Sequence, residues 1–158
     1  MPPPLRVLAL LLVIVAAARG GSDSPRSASW KTLGGADVAV SAIDGKPTVI
    51  NFFASWCTPC LLEMPAFDEV HRELEGKVAF LGLNLQEDSG RAEKVVKLTG
   101  VSYPVGLDPQ GDVFRFAGAR AMPATTLLDA KGKLIATHGG ALTKGDLIEL
   151  IRTKLGVS

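Results

Sequence analysis

Apolar positions in this chain fall first into one unbroken block and then into short runs whose rhythm keeps changing. Val7 to Ala18 (VLALLLVIVAAA) is apolar throughout and is closed by Arg6 and Arg19. A bilayer takes about 20 apolar residues to span, and this block is shorter. With a charged start and the small Ala16-Ala17-Ala18 as an A-x-A pattern at its end, residues 1–18 predict an export signal, cut near Ala18 or kept as a short N-terminal anchor. No cysteine lies near that point to carry a lipid. Residues 19–29, rich in Gly and Ser and without periodicity, read as a flexible tether. The folded part is expected over 30–158.

From Trp30 onward the pattern alternates between strand and helix periods. Short apolar pieces around Gly34-Gly35 predict a small hairpin between Trp30 and Val40. Thr48 to Ala54 (TVINFFA) is β-branched or aromatic almost throughout, as a strand covered on both faces requires. Cys60, Met64, Phe67, Val70 and Leu74 then recur at helical spacing, which predicts a helix from Pro59 to Glu75, kinked at Pro65 and ended by Gly76. Val78 to Leu85 predicts a second buried strand. A helix over Arg91 to Thr99 follows, with Asp88 and Ser89 as cap candidates. Gly111 to Phe116 predicts a short third helix, and Thr125 to Leu128 with Leu134 to His138 a hairpin. In the closing helix, Thr143 to Leu155, Asp146 completes a capping box and Leu147, Ile148, Ile151 and Leu155 form one stripe. The succession βαβα, then a hairpin and a helix, predicts one α/β domain.

Charge changes this picture little. Lys and Arg number 17 against 16 Asp and Glu, a net +1. Without Arg6, Arg19, Arg26 and Asp23, which precede Trp30, the balance is 14 to 15. No field of one sign exists to attract nucleic acid or anionic lipid, so a nucleic-acid binder is not indicated. Two cysteines cannot build a multi-bridge scaffold or a four-thiolate metal cage.

Those two cysteines carry the chemistry. Cys57-Thr58-Pro59-Cys60 stands where the first buried strand gives way to the long helix. Free N–H groups and the positive end of the helix dipole at that point stabilise a thiolate at Cys57. Cys60, one turn deeper on the apolar face, stays protonated and shielded. Such a pair exchanges disulfides: Cys57 attacks a partner disulfide, and Cys60 resolves the mixed disulfide. A structural staple is disfavoured, because closing a loop with two intervening residues removes little chain entropy. Pro59 suits a first helical turn, which needs no N–H there. Trp56, directly before Cys57, fits either core packing or a contact surface beside the site. His71 and His138 read as a helix-flank and a strand residue, and no metal or other cofactor is called for.

With Trp56-Cys57-Thr58-Pro59-Cys60 at a strand–helix junction and Met122-Pro123 before a late strand, the chain resembles the thioredoxin superfamily. NFFASWCTPCLLEMP, Asn51 to Pro65, is similar to the signature of the TlpA/ResA-type exported thiol-disulfide oxidoreductases. The resemblance implies a thioredoxin-like fold, a central mixed sheet flanked by helices, with an extra α/β element inserted within Asp88 to Phe116. It also implies a cis Pro123 beside the cysteines, with the Met122 backbone open to an extended substrate strand. Taken alone, Pro123 reads as an ordinary trans proline and Met122 as core. Where thioredoxin buries a carboxylate six residues before its first cysteine this chain has Asn51, which cannot take a proton. The resemblance points to Glu87 as an acidic residue near the site, and the polar loop alone would make Glu87 part of a helix cap.

The resemblance further implies protein dithiol or disulfide substrates, apocytochrome c and copper-site proteins among them. It implies reduction by a membrane electron donor of the DsbD/CcdA type, at the periplasm or outer face of a bacterial cytoplasmic membrane. A reductase is favoured over a disulfide-forming oxidase. A peroxidase would want Thr and Pro where Ala54 and Ile50 stand. A copper-delivery protein for a respiratory oxidase would want C-x-x-x-C and a third ligand.

Overall fold

A computed structural model of the chain describes residues 28–40 and 45–158. The expected export block, and the expected tether as far as residue 27, lie outside the described residues. Seven strands and four helices follow in the order β1 (Ser29–Thr32), β2 (Asp37–Ala39), β3 (Thr48–Phe53), α1 (Thr58–Glu73), β4 (Ala79–Leu85), α2 (Ser89–Thr99), β5 (Val105–Asp108), α3 (Asp112–Phe116), β6 (Ala124–Leu128), β7 (Leu134–Gly139) and α4 (Lys144–Leu155). They form one mixed sheet in the order β2-β1-β5-β4-β3-β6-β7. β3, β4 and β5 run parallel, while β6 is antiparallel to β3 and β7 to β6. The N-terminal hairpin joins antiparallel at the far side of β5. Among the described residues no helix is long and apolar enough to cross a membrane.

β3 is buried along its whole length because both of its faces are covered. Its alternation sorts residues to two cores. Val49 and Phe53 face α1, α2 and α4, packing with Met64, Phe67, Val95, Leu147 and Ile151. Ile50 and Phe52 face α3, packing with Leu83, Val113 and Leu128. Asn51 shares the parity of Val49 and Phe53, so a polar side chain is delivered into the core under α1.

Two helices, α2 and α4, start at side-chain caps. Asp88 caps α2 by accepting from Arg91 N at 2.9 Å, and Thr143 with Asp146 forms the expected capping box on α4. α1 runs on through Pro65, which lies on its exposed side. Between β4 and β6 lie α2, β5 and α3, and β5 adds to the sheet beside β4. The strand β5 is the element that the hydrophobic pattern did not announce. It is four residues long and contains Gly106, where a Cβ would meet Trp30 at 2.1 Å and Lys31 O at 2.7 Å. The glycine that weakens the strand pattern is what admits β1 and its tryptophan.

Candidate active site

The end of β3, the first turn of α1 and the approach to β6 converge on the cysteine pair. Ala54 O accepts from Cys57 N at 3.0 Å, which turns the chain sharply out of β3 and sets Cys57 as the residue before α1. Pro59 sits in the first turn, where its missing donor costs nothing. Cys57 and Cys60 are joined by a disulfide, with their Cα atoms 5.3 Å apart. Cys57 retains 4% exposure and Cys60 none. Both cysteines are buried, and of the two Cys57 alone keeps any contact with solvent.

Two large apolar side chains close to the pair in sequence lie exposed. Trp56 is 68% exposed and Leu62 76%, so Trp56 is not part of the core. The Met122–Pro123 peptide is cis, as the resemblance implied. Pro123 is buried at the head of β6, and Met122 packs against both cores. A groove of about 420 Å³ runs along Arg120 to Ala124 and the end of β7 from Thr137 to Gly140.

One residue that sequence reasoning passed over lies on α1, one turn after Cys60. Glu63 is three positions after Cys60 on the same side of α1 and is buried. Its Oε1 accepts from Asn51 Nδ2 at 3.1 Å and its Oε2 from Leu142 N at 2.9 Å. Burial pushes its carboxyl up to about 7, against the opposing pull of those two hydrogen bonds. The signal was present: Glu63 interrupts the apolar stripe that holds Cys60, Met64 and Phe67, and a lone carboxylate on such a stripe is buried by the helix period.

Glu87 is built differently. It accepts from Ser55 N at 2.8 Å, Ser55 Oγ at 2.5 Å and Asn84 Nδ2 at 2.8 Å, with the Arg91 guanidinium 3.6 Å away. Desolvation alone would raise its carboxyl, but the hydrogen bonds from Ser55 and Asn84 and the Arg91 charge outweigh it and hold the group below the usual range. Such a carboxylate is a poor proton acceptor near neutrality. Its geometry ties the β4–α2 loop to the Ser55-Trp56 turn that presents Cys57.

Neither histidine joins the pair in a ligand set. The His71 ring packs on Phe80 and Tyr103, and His138 lies on β7 opposite Thr125. Among the described residues no three His, Cys, Asp or Glu side chains gather closely enough to hold a metal ion.

A cysteine pair at a strand–helix junction, beside a cis proline in this sheet order, has known counterparts. The profile of the Redoxin family matches residues 21–150. The chain belongs to the Redoxin family. It is 32% identical over 123 residues to the thioredoxin-like protein YneN of Bacillus subtilis, covering 75% of this chain and 71% of that one. It is 30% identical over 121 residues to the thiol-disulfide oxidoreductase ResA of Bacillus thuringiensis, covering 76% and 70%. Among solved structures, MTB DsbF in mixed oxidized and reduced forms superposes with a TM-score of 0.73 at 25% identity, over 82% of this chain and 96% of that one. StoA of Bacillus subtilis superposes with a TM-score of 0.66 at 27% identity, over 80% and 97%. This Redoxin-family chain has the thioredoxin-like fold and is a thiol-disulfide oxidoreductase with a Cys-x-x-Cys pair at Cys57 and Cys60.

Proposed function

We propose that this protein is an extracytoplasmic reductase of protein disulfides, with Cys57 as nucleophile and Cys60 as resolving thiol. One observation carries the reading: Cys57 keeps a trace of exposure directly after the exposed Trp56, while Cys60 is fully buried one turn from Glu63. In the reduced protein the Cys57 thiolate attacks a substrate disulfide, forming a mixed disulfide and releasing one substrate thiolate. Cys60 then gives up its proton and attacks Cys57 Sγ, which forms the Cys57–Cys60 disulfide and releases the second thiolate. Two electrons pass to the substrate. Glu63, half ionised near neutral pH, is the acceptor for the Cys60 proton. Glu87 acts as a positioning group, holding Ser55 and hence the turn before Cys57.

Substrate contacts fall to Trp56, to Met122 through its backbone, and to Pro123, with the substrate strand laid along the groove beside β6. The candidate substrates are protein disulfides such as those of apocytochrome c or of copper-site proteins, and a membrane donor of the DsbD/CcdA type restores the dithiol. The export block at 1–18 supports a place outside the cytoplasm, with the tether leading to one domain whose first strand starts at Ser29. A relative of 26% identity and TM-score 0.65 is described as the pneumococcal exposed lipoprotein thioredoxin Etrx1, which fits that place.

Trapping tests the assignment. Cys60→Ser should accumulate a mixed disulfide with insulin or a native partner, visible on non-reducing gels. Cys57→Ser should form none and should lose insulin reduction. Equal trapping by both variants would overturn the assigned roles.

A further inference from the structure

The hydrogen-bonded chain behind the cysteines does not stop at Glu63. Asn51 donates from Nδ2 to Glu63, and its Oδ1 accepts from the Tyr103 hydroxyl at 3.3 Å. Tyr103 comes from the stretch between α2 and β5. Its ring reaches Asn51 because the residue registered opposite Asn51 on β4 is Gly82. A Cβ on Gly82 would meet the Tyr103 ring at 3.1 Å and Phe53 at 3.3 Å. The ring fills the space that a side chain would occupy.

An amide has two ends of opposite character. With Nδ2 toward Glu63, Asn51 favours the carboxylate; turned over, its Oδ1 would favour the protonated acid. Tyr103 decides between them. Burial keeps its phenol protonated far beyond the ordinary range, so the hydroxyl always has a proton to place. Turning the amide would take away the acceptor that this proton has, and a buried donor without an acceptor is costly.

We propose that Tyr103 is a positioning residue for the redox centre, holding Asn51 so that Glu63 stands as an ionised acceptor for the Cys60 proton. This rests on the role given to Glu63 above. The other donor to Glu63 is the Leu142 N–H and Cys60 stands one turn before it on α1, while Lys144, which lines with Glu63 a groove beside Pro59 and Leu62, is held by Glu69 and Glu73. Behind Tyr103, Asp68 is bound by Ser102 and Arg72, and His71 packs edge-on at 6.0 Å.

The test follows the carboxylic-acid carbonyl band of Glu63 by infrared difference spectroscopy against pH in the oxidised protein, with Glu63→Gln assigning the band. Resolution of a preformed mixed disulfide is timed in parallel. Tyr103→Phe should raise the Glu63 midpoint by roughly half to one pH unit, a threefold to tenfold change in its ionisation constant. The optimum of the resolution step should move the same way. On an Asn51→Leu background the Tyr103→Phe change should move nothing more, since the amide it acts through is gone. Gly82→Ala displaces the ring with every polar group retained and should also raise the midpoint. An unshifted midpoint in Tyr103→Phe, or an equal shift without Asn51, overturns the relay and leaves Glu63 in its role. If Glu63→Gln leaves the rate and pH profile of resolution unchanged, the role of Glu63 falls and the relay with it.

Discussion

Two carboxylates flank the cysteine pair, and their surroundings push them in opposite directions. Glu63 is buried with two donors and stands at about 7 instead of 4.5. Below pH 4.5 both folded and unfolded chains hold this proton, so stability there is intact. As pH rises to 7 the unfolded chain releases it first, and stability falls by on the order of 2–3 kcal/mol. Glu63→Gln should therefore be about as stable as the parent at pH 4.5 and gain on it progressively up to pH 8, measured by urea unfolding of the oxidised proteins. A constant difference across that range would show that the carboxyl is not buried as described. Glu87, with its folded value depressed, stabilises the fold above its unfolded value and loses that contribution as pH falls through the folded one. Glu87→Gln should cost about 1–2 kcal/mol near neutral pH and slow exchange without moving its pH optimum, because the turn before Cys57 loosens while the proton acceptor is untouched. A displaced optimum would give Glu87 a direct part in proton transfer. The sequence made the sulfurs plain, since their chemistry follows from spacing and position. It did not separate the two acids, because which one is buried depends on how α1 packs over Asn51 and on where Leu142 lies.

Strands and helices with strong periods were legible; the element assembled from exceptions was not. β3, α1, β4 and α4 lie within a few residues of where their patterns put them, since a buried strand is apolar at every position and a helix repeats its stripe. β5 is Val-Gly-Leu-Asp, short and interrupted, and its pairing with β1 is a tertiary event. Gly106 is the contact on which that pairing turns. Gly106→Ala would drive a methyl group into the Trp30 ring at 2.1–2.3 Å and into backbone at 2.7 Å, so neither neighbour can yield cheaply. The expected cost is about 2–3 kcal/mol by urea denaturation, with faster hydrogen exchange in β1 and β2 and little change in the amides of β3. Full retention of stability would mean that the N-terminal hairpin is not anchored through this glycine.

At the scale of the whole molecule, redox direction and folding stability are two sides of one cycle. The potential of the pair in the folded protein differs from that in the unfolded chain by the amount the disulfide changes folding stability, with about 1.4 kcal/mol for each 30 mV. A strong oxidant is more stable when reduced, because its fold favours the free thiolate. A reductase is more stable when oxidised. The fold here holds Cys60 with no exposure, and burial in apolar surroundings disfavours a second thiolate at that position. Oxidised protein should therefore melt above reduced protein at neutral pH, and its potential against glutathione should lie near the range of thioredoxin, about −270 mV. Substituting Cys60 by Ala removes the resolving thiol and should erase the difference between the two redox conditions. A reduced form that outlasts the oxidised one on heating, with a potential near about −120 mV, would make the same site a donor of disulfides and reverse the direction proposed for it.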